Sequence, residues 1–344
     1  MGNQPHLAQA SSRRYGYEAP VMKIVIAGAS GQVGTILARA FHRDGHEVTA
    51  LCRNMKPAAR RMVQWDGLSL GSWTNELQGA DVVINLAGRS VNCRYNDRNR
   101  REIMDSRIDS TRIIREAIAK AQQPPRVCLQ ASTATIYEHR FDAPNDETTG
   151  ILGGSEPKAP DTWRFSIDVA KAWEKAAQGA PALPRTRLVL LRSAVIMSPD
   201  RGGAFDLLLK LVRFGLGGKN GNGRQFVSWI HEADFVRAVY WLIERESLSG
   251  AVNVASPNPL PNAEFMRELR QAWGIPFGLP STDWMLEIGA LFLRTETELI
   301  LKSRRVVPAR LLQNGFSFHF SEWRGAARHL CAQWRNSSEQ QRTQ

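Results

Sequence analysis

Cysteine is scarce in this 344-residue sequence, with four residues, Cys52, Cys93, Cys128 and Cys331, and no C-x-x-C pair among them. That spacing excludes a disulfide framework and a cysteine-based zinc site, and no metal site is expected. Cys52 and Cys128 fall in apolar runs, so reduced, buried thiols in a cytoplasmic protein are expected. Also missing is any apolar run long enough to cross a bilayer. Residues 1–21 are polar, have no apolar signal core and read as a flexible tail, with Met22 as an alternative start. No internal repeat is visible. Acids are outnumbered: 33 Asp and Glu stand against 45 Lys and Arg, a net charge of +12.

A basic balance can serve nucleic acid, an acidic membrane surface or an anionic ligand. Much of the local excess lies in NCRYNDRNRREIMDSRIDSTRIIR, residues 92–115. Asp97, Glu102, Asp105 and Asp109 are interspersed there with seven arginines, the pattern of a solvated helix face laced with ion pairs. The alternative is an anion site built by the first arginines, with Arg94 facing a substrate. No nucleic-acid reader motif accompanies the charge, so nucleic acid is not an expected partner. A membrane is not either.

The stretch VMKIVIAGASGQVGTILARAF (21–41) begins as an apolar strand, turns through glycines and continues with helical periodicity. Its motif is Gly28-x-x-Gly31-x-x-Gly34. The first glycine permits a tight turn, the second lets backbone approach a pyrophosphate, and the third allows close helix–strand packing. Ser30, Gln32 and Val33 belong to the same turn, where the helix start offers free N–H groups to phosphates. The second strand, HEVTALCR (46–53), ends in Arg53. An acid there would grip a ribose 2′-hydroxyl; an arginine instead pairs with a 2′-phosphate, which points to NADP(H). A third strand (62–65) ends at Asp66, which suits either the adenine amino group or a turn. A fourth, ADVVINLAG (80–88), ends in Leu86-Ala87-Gly88, small enough at its end for the chain to pass close to a cofactor. Runs 126–137 and 187–196 are a fifth and a sixth strand, and helical stretches cover 31–43, 97–122 and 163–179. This alternation predicts an α/β fold, a doubly wound parallel sheet that binds ligands at the carboxyl ends of its strands.

GASGQVG, NLAG, AST-ATIY and the helix bearing Lys171 together resemble the short-chain dehydrogenase/reductase superfamily, in its extended or atypical branches. GGKNGNGRQFVSWIHEADFVRAV (217–239), RRVVPARLLQNGFSF (304–318) and the arginine segment are similar to its "epimerase family" group, which carries a C-terminal segment of unknown function. The resemblance covers most of residues 22–325 and implies a Rossmann sheet. It assigns no activity. The superfamily's chemistry passes a proton through a tyrosine hydroxyl. A lysine four residues later lowers that tyrosine's pKa and holds the nicotinamide ribose, and a Ser or Thr positions the substrate oxygen. Here Thr133 matches the Ser/Thr and Lys171 the lysine, but Ile167 stands where the tyrosine would be. Tyr137, just past Thr133, is the candidate replacement acid, or else a structural tyrosine.

The Gly- and Pro-rich insertion 138–163 reads as a mobile cover over the site. Beyond the sixth strand come a helix, a glycine-rich loop, a short strand and a helix. Arg224 follows the loop at a place suited to an anionic substrate group, and His231 and Asp234 are expected to fix a turn. The expected plan is a cofactor domain over 22–198, rejoined by 224–254. A smaller, mainly helical substrate part covers 199–223 and 255–335, and a disordered tail 336–344. The sequence thus predicts an NADP(H)-dependent oxidoreductase or epimerase-like protein acting by hydride transfer on a small anionic substrate. The competing expectation is a non-catalytic, NADPH-binding regulator.

Overall fold

The computed structural model describes residues 20–55, 61–157, 159–280 and 302–340. Expectations for the start of the N-terminal tail, for 281–301 and for 341–344 lie outside the described residues. Among these residues seven strands form the central sheet: β1 (Lys23–Ala27), β2 (Glu47–Cys52), β3 (Arg61–Gln64), β4 (Val82–Asn85), β5 (Val127–Thr133), β6 (Arg187–Ser193) and, further along the chain, β10 (Gly250–Val254). Their spatial order is β10-β6-β5-β4-β1-β2-β3, and every neighbouring pair is parallel. The order reverses between β1 and β4, which opens a crevice at the carboxyl ends of those two strands.

Helices cover both faces, so central strands such as Val82-Val83-Ile84 are buried throughout. Helix α1 (Gln32–Arg43) presents Ile36, Leu37, Ala40 and Phe41 to the sheet, an apolar stripe at helical spacing. Helices α2 (Asp97–Lys120) and α3 (Asp161–Gln178) follow β4 and β5. The expected fifth strand stops at Thr133, and Ala134–Ile136 turn as a short 3-10 helix. The expected sixth strand divides: β6 stays in the main sheet, while β7 (Val195–Met197) leaves to pair with β9 (Trp229–His231). Helix α5 (Glu232–Glu244) leads to β10, a strand not read from the sequence.

The smaller part packs α4 (Ala204–Arg213), α6 (Asn262–Trp273) and α8 (Trp323–Gln340) around Phe205, Leu209, Trp229, Phe265, Trp323 and Leu330. Phe265 stacks on Trp323 at 4.1 Å between centroids. Beside them β8 (Phe226–Val227) pairs antiparallel with β11 (Leu260–Pro261). Helix α8 runs through Gln340, so residues 336–340 are helical where a disordered tail was expected. Short helix α7 (Ala309–Gln313) lies along the outer edge of β10, where Arg310 Nη1 donates to the carbonyls of Ser249 (2.8 Å) and Ala251 (2.6 Å). Among the described residues no helix is long and apolar enough to cross a membrane, and no group of three or more His, Cys, Asp or Glu is placed to hold a metal.

Candidate functional site

The glycine turn after β1 is shaped by close approach. Gly28 has φ of +78°, and a Cβ there would lie 2.8 Å from the Leu86 carbonyl carbon and oxygen. A Cβ on Gly34 would lie 2.5 Å from the Gly28 oxygen and 2.6 Å from Ala29 Cα. Backbone therefore packs on backbone at both places, which glycine alone permits. Helix α1 starts at Gly31 with no side-chain cap, leaving its first N–H groups open. After β4, buried Asn85 sets the facing turn. Its Oδ1 accepts from Ala87 N at 3.1 Å, while its Nδ2 donates to Gln130 Oε1 at 2.9 Å and Thr111 Oγ1 at 3.3 Å.

Two clefts meet at this turn and share Gly28, Gly31 and Leu86. The wider, about 860 Å3, is lined by Ser30, Arg53, Asp66, Ala87 and Gly88 among others. The narrower, about 350 Å3, is lined by Gln32, Val33, Gly34, Tyr95, Arg107, Thr133, Thr135, Ser166 and Trp173 among others. All eleven residues expected to hold a dinucleotide through the glycine turn and the ends of β2, β3 and β4 thus line one cleft or both. Arg53 is exposed at the end of β2. Asp66 also fixes its own turn, accepting from Leu68 N at 2.8 Å, Ser69 N at 2.9 Å and the Ser69 hydroxyl. The Ser69 hydroxyl and backbone bonds hold its carboxyl pKa down to about 2.

Thr133 lies at the narrow cleft, at the end of β5, with its Oγ1 accepting from Thr135 N at 3.2 Å. Four other expected site residues lie elsewhere. Lys171 is exposed on another flank of α3, in a shallow depression with Leu152, Glu174 and Lys175. Helical phase is the reason: Phe165, Ser166, Val169 and Trp173 face the narrow cleft, and Lys171 is some 200° round from Val169. Ile167 is fully buried, and a Cβ on Gly153 would come within 2.8 Å of its Cδ1. Tyr137 is 2% exposed beneath the sheet end, because the 3-10 turn after Thr133 carries it under the strand. Its hydroxyl donates to Asn253 Oδ1 at 2.9 Å and accepts from Arg192 Nη1 at 2.9 Å, and burial raises its pKa. Arg94 is half-buried in the β4–α2 connection and Arg224 is exposed beyond the glycine-rich loop; neither lines a cleft.

Behind Thr133 runs a buried polar network. Arg192 of β6 grips Glu174 of α3 with two bonds, Nε to Oε1 at 2.8 Å and Nη2 to Oε2 at 2.7 Å. Ser132 Oγ donates to the same Glu174 Oε1 at 2.5 Å. Burial opposes the charge on Arg192, yet the Glu174 bonds outweigh it and raise the guanidinium pKa. The insertion 138–163 is tied to the 302–307 segment rather than spread over the clefts. Asn145 N bonds Arg305 O at 2.7 Å, and Val307 N bonds Asn145 O at 3.0 Å.

Residues missed from the sequence include Arg107 and the aromatic wall of Phe165 and Trp173. Tyr95 and Phe165 meet edge to face at 5.1 Å. Arg107 lies 5.0 Å over the Trp173 ring, and its Nη1 donates to the carbonyls of Arg89 and Ile103, both at 3.0 Å. Loss of water around it lowers its pKa to about 10, still charged at neutral pH. In the sequence it was one of seven similar arginines, and no local signal set it apart.

Residues 24–255 match the model of the NAD dependent epimerase/dehydratase family, and residues 282–330 match a domain of unknown function, DUF1731. The human epimerase family protein SDR39U1 is 31% identical over 90% of this chain and 100% of its own length. Epimerase family protein YfhF of Bacillus subtilis is 31% identical over 90% of this chain and 98% of its own. The crystal structure of human SDR39U1 (isoform 2) with NADPH superposes with a TM-score of 0.78 at 29% identity, covering 90% of this chain and 99% of that one. The nucleoside-diphosphate sugar epimerase of Corynebacterium glutamicum gives 0.71 at 28% identity, covering 94% of this chain and 61% of that one. With the parallel sheet, the glycine turn and the crevice at its point of reversal, these matches establish that the chain belongs to the NAD dependent epimerase/dehydratase family.

Proposed function

We propose that the protein binds NADP(H) across the two clefts and acts as an oxidoreductase or epimerase by hydride transfer on a small substrate. The observation that carries this is the continuity of the clefts: Arg53 stands in the wider one, Thr133 in the narrower, and the glycine turn lies where they meet. The residues present fit a dinucleotide. The uncapped start of α1 and the Gly88 backbone would hold the phosphates, Arg53 the 2′-phosphate, and Asp66 would lie beside the adenine. When bound, the nicotinamide supplies a hydride donor or acceptor. Thr133 would orient the reacting oxygen. The human relative solved with NADPH supports the same reading. Residues 22–198 and 224–254 then form the cofactor part, and 199–223 with 255–335 the substrate part. A cytoplasmic location belongs to this reading, consistent with the buried thiols of Cys52, Cys128 and Cys331. The two arginines expected to select an anionic substrate line neither cleft, so the reading keeps a small substrate without specifying its charge.

A non-catalytic NADPH-responsive regulator is the second reading. It is favoured by the face that α3 turns to the narrow cleft, Phe165, Ser166, Val169 and Trp173, which offers no tyrosine–lysine pair. The first test is fluorescence titration with NADPH and NADH. The Arg53 contact to a 2′-phosphate contributes about 1.5–3 kcal/mol, so NADPH should bind about tenfold or more tightly. Arg53→Ala should abolish that preference. Equal affinities in the native protein would remove the NADP assignment. NADPH oxidation with a panel of small carbonyl compounds then separates enzyme from regulator.

A further inference from the structure

Arg107 stands apart from the ion-paired arginines around it in what it is bonded to. Arg98 pairs with Glu102 at 2.8 Å, Arg100 with Asp161 at 2.5 Å, and Arg89 with Glu102. Arg115 is spent on the carbonyls of Ala177, Gly179 and Pro181 at the end of α3. Arg107 has no carboxylate within ion-pair reach among the described residues. Both its hydrogen bonds leave from Nη1. Nε and Nη2 have no protein acceptor there.

Its position is equally specific. The side chain lines the narrow cleft, in company with Gly28, Gly31 and Leu86, which both clefts share. It also lies against Gly88 of the wide cleft: a Cβ on Gly88 would come within 3.2 Å of Arg107 Cγ and Cζ. Glycine at 88 thus leaves room for the guanidinium where the two clefts meet. Trp173 supports one face of the plane and the two carbonyls fix one edge, so the free edge is held in place before any ligand arrives. A half-buried cation given no counter-charge is costly, and an anionic ligand relieves that cost.

We propose that Arg107 is the cationic wall of the phosphate site, pairing through Nε and Nη2 with the pyrophosphate of the bound dinucleotide, across from the uncapped start of α1. The proposal rests on the reading that the two clefts hold one dinucleotide. A pyrophosphate is the part of such a molecule that must pass between them, and guanidinium is suited to two-point binding of phosphate oxygens. The amide groups of α1 bind from one side with partial charge, and Arg107 supplies a full charge from the other.

Three ligands and two variants test this by calorimetric titration. NADPH carries all parts; 2′-phospho-ADP-ribose lacks the nicotinamide; 2′-AMP lacks the pyrophosphate. Arg107→Gln should weaken NADPH and 2′-phospho-ADP-ribose by a similar factor, about ten- to hundredfold, the range of a charge-assisted contact. Binding of 2′-AMP should stay within about twofold. Arg107→Lys keeps the charge and loses the planar fork, so it should show the same pattern with a smaller loss. It also carries the test if the glutamine protein does not fold. Equal loss for all three ligands would show a merely structural role, and loss for NADPH alone would place Arg107 at the nicotinamide. Either result overturns the proposal, as does no loss at all. Should the native protein bind 2′-AMP and 2′-phospho-ADP-ribose no better than NADH-type ligands, and NADPH not at all, the dinucleotide reading itself fails, a result recognisable without any variant.

Discussion

Replacing Glu174 with leucine would strand the Arg192 guanidinium, whose residue is 8% exposed, with Tyr137 as its remaining partner in the network. The change removes two charge-assisted bonds, at 2.8 and 2.7 Å, and takes the acceptor from Ser132 Oγ. Removing one member of a buried pair costs about 3–5 kcal/mol, because the other charge stays buried without compensation. Arg192→Met should cost a similar amount by stranding Glu174, which is 5% exposed. The double variant removes both charges and keeps apolar volume, so it should cost far less than the sum, with a coupling of about 3 kcal/mol. Urea unfolding of the four proteins measures this directly from the shift in ΔG extrapolated to water. Additivity within about 0.5 kcal/mol would refute the reasoning, since it would mean the two side chains do not depend on each other. Because Ser132 precedes Thr133, the single variants should also disturb the narrow cleft more than the wide one. Binding of 2′-AMP, which needs only the wide cleft, should therefore outlast the loss of NADPH binding.

Three further outcomes follow from groups placed by the fold. His231 Nδ1 accepts from Ala233 N at 3.0 Å and its Nε2 meets His329 Nδ1 at 3.0 Å; burial, with His329 and His319 nearby, lowers its pKa to about 3. The unfolded chain takes up the proton first, so this group's contribution is complete above an unfolded pKa of about 6.5 and is lost as pH falls from there toward 3, at up to about 1.4 kcal/mol per pH unit. His231→Gln should flatten the stability profile between pH 6 and 4, and parallel native and variant profiles would contradict the assignment. Lys171→Ala should leave NADPH affinity within about twofold, since Lys171 lies outside both clefts, whereas Ile167→Tyr should destabilise the chain by about 1–3 kcal/mol by overpacking a fully buried site. An intact melting temperature for the tyrosine variant, or a large affinity loss for the alanine variant, would count against this placement.

The sheet and the cofactor end were legible in the sequence because their signals are local. A strand, a glycine turn and a helix follow one another within residues 21–41, and alternating apolar runs repeat the unit. The chemistry end was less legible, because it depends on rotation and on distant contacts. Spacing of four places Ile167 and Lys171 on one face of α3 but does not say which face meets the cleft, and Phe165, Ser166, Val169 and Trp173 meet it instead. Tyr137 was read as a strand-end residue, but the chain turns at Ala134 and carries it inward to Asn253, a residue 116 positions away. Arg107 could not be told from its neighbours until ion pairs had accounted for Arg89, Arg98 and Arg100. The five-residue strand β10 escaped for a similar reason: it is recognisable mainly by its pairing with β6.

The bonds along β10 bear on how copies of this protein meet one another in solution. A sheet that ends in a bare strand offers its outward amides and carbonyls as a template for a foreign strand. Here Arg310 occupies the carbonyls of Ser249 and Ala251, and Glu147 Oε1 accepts from the N–H of Asn253 at 2.8 Å. Glu147 Oε2 also accepts from Arg310 N at 3.3 Å, so the two side chains brace each other as they cover the edge. Both come from segments distant in the chain, the insertion after β5 and the short α7. Those two segments therefore act as a guard against strand addition, and losing either side chain exposes a register of groups on which an eighth strand, from another molecule, could grow.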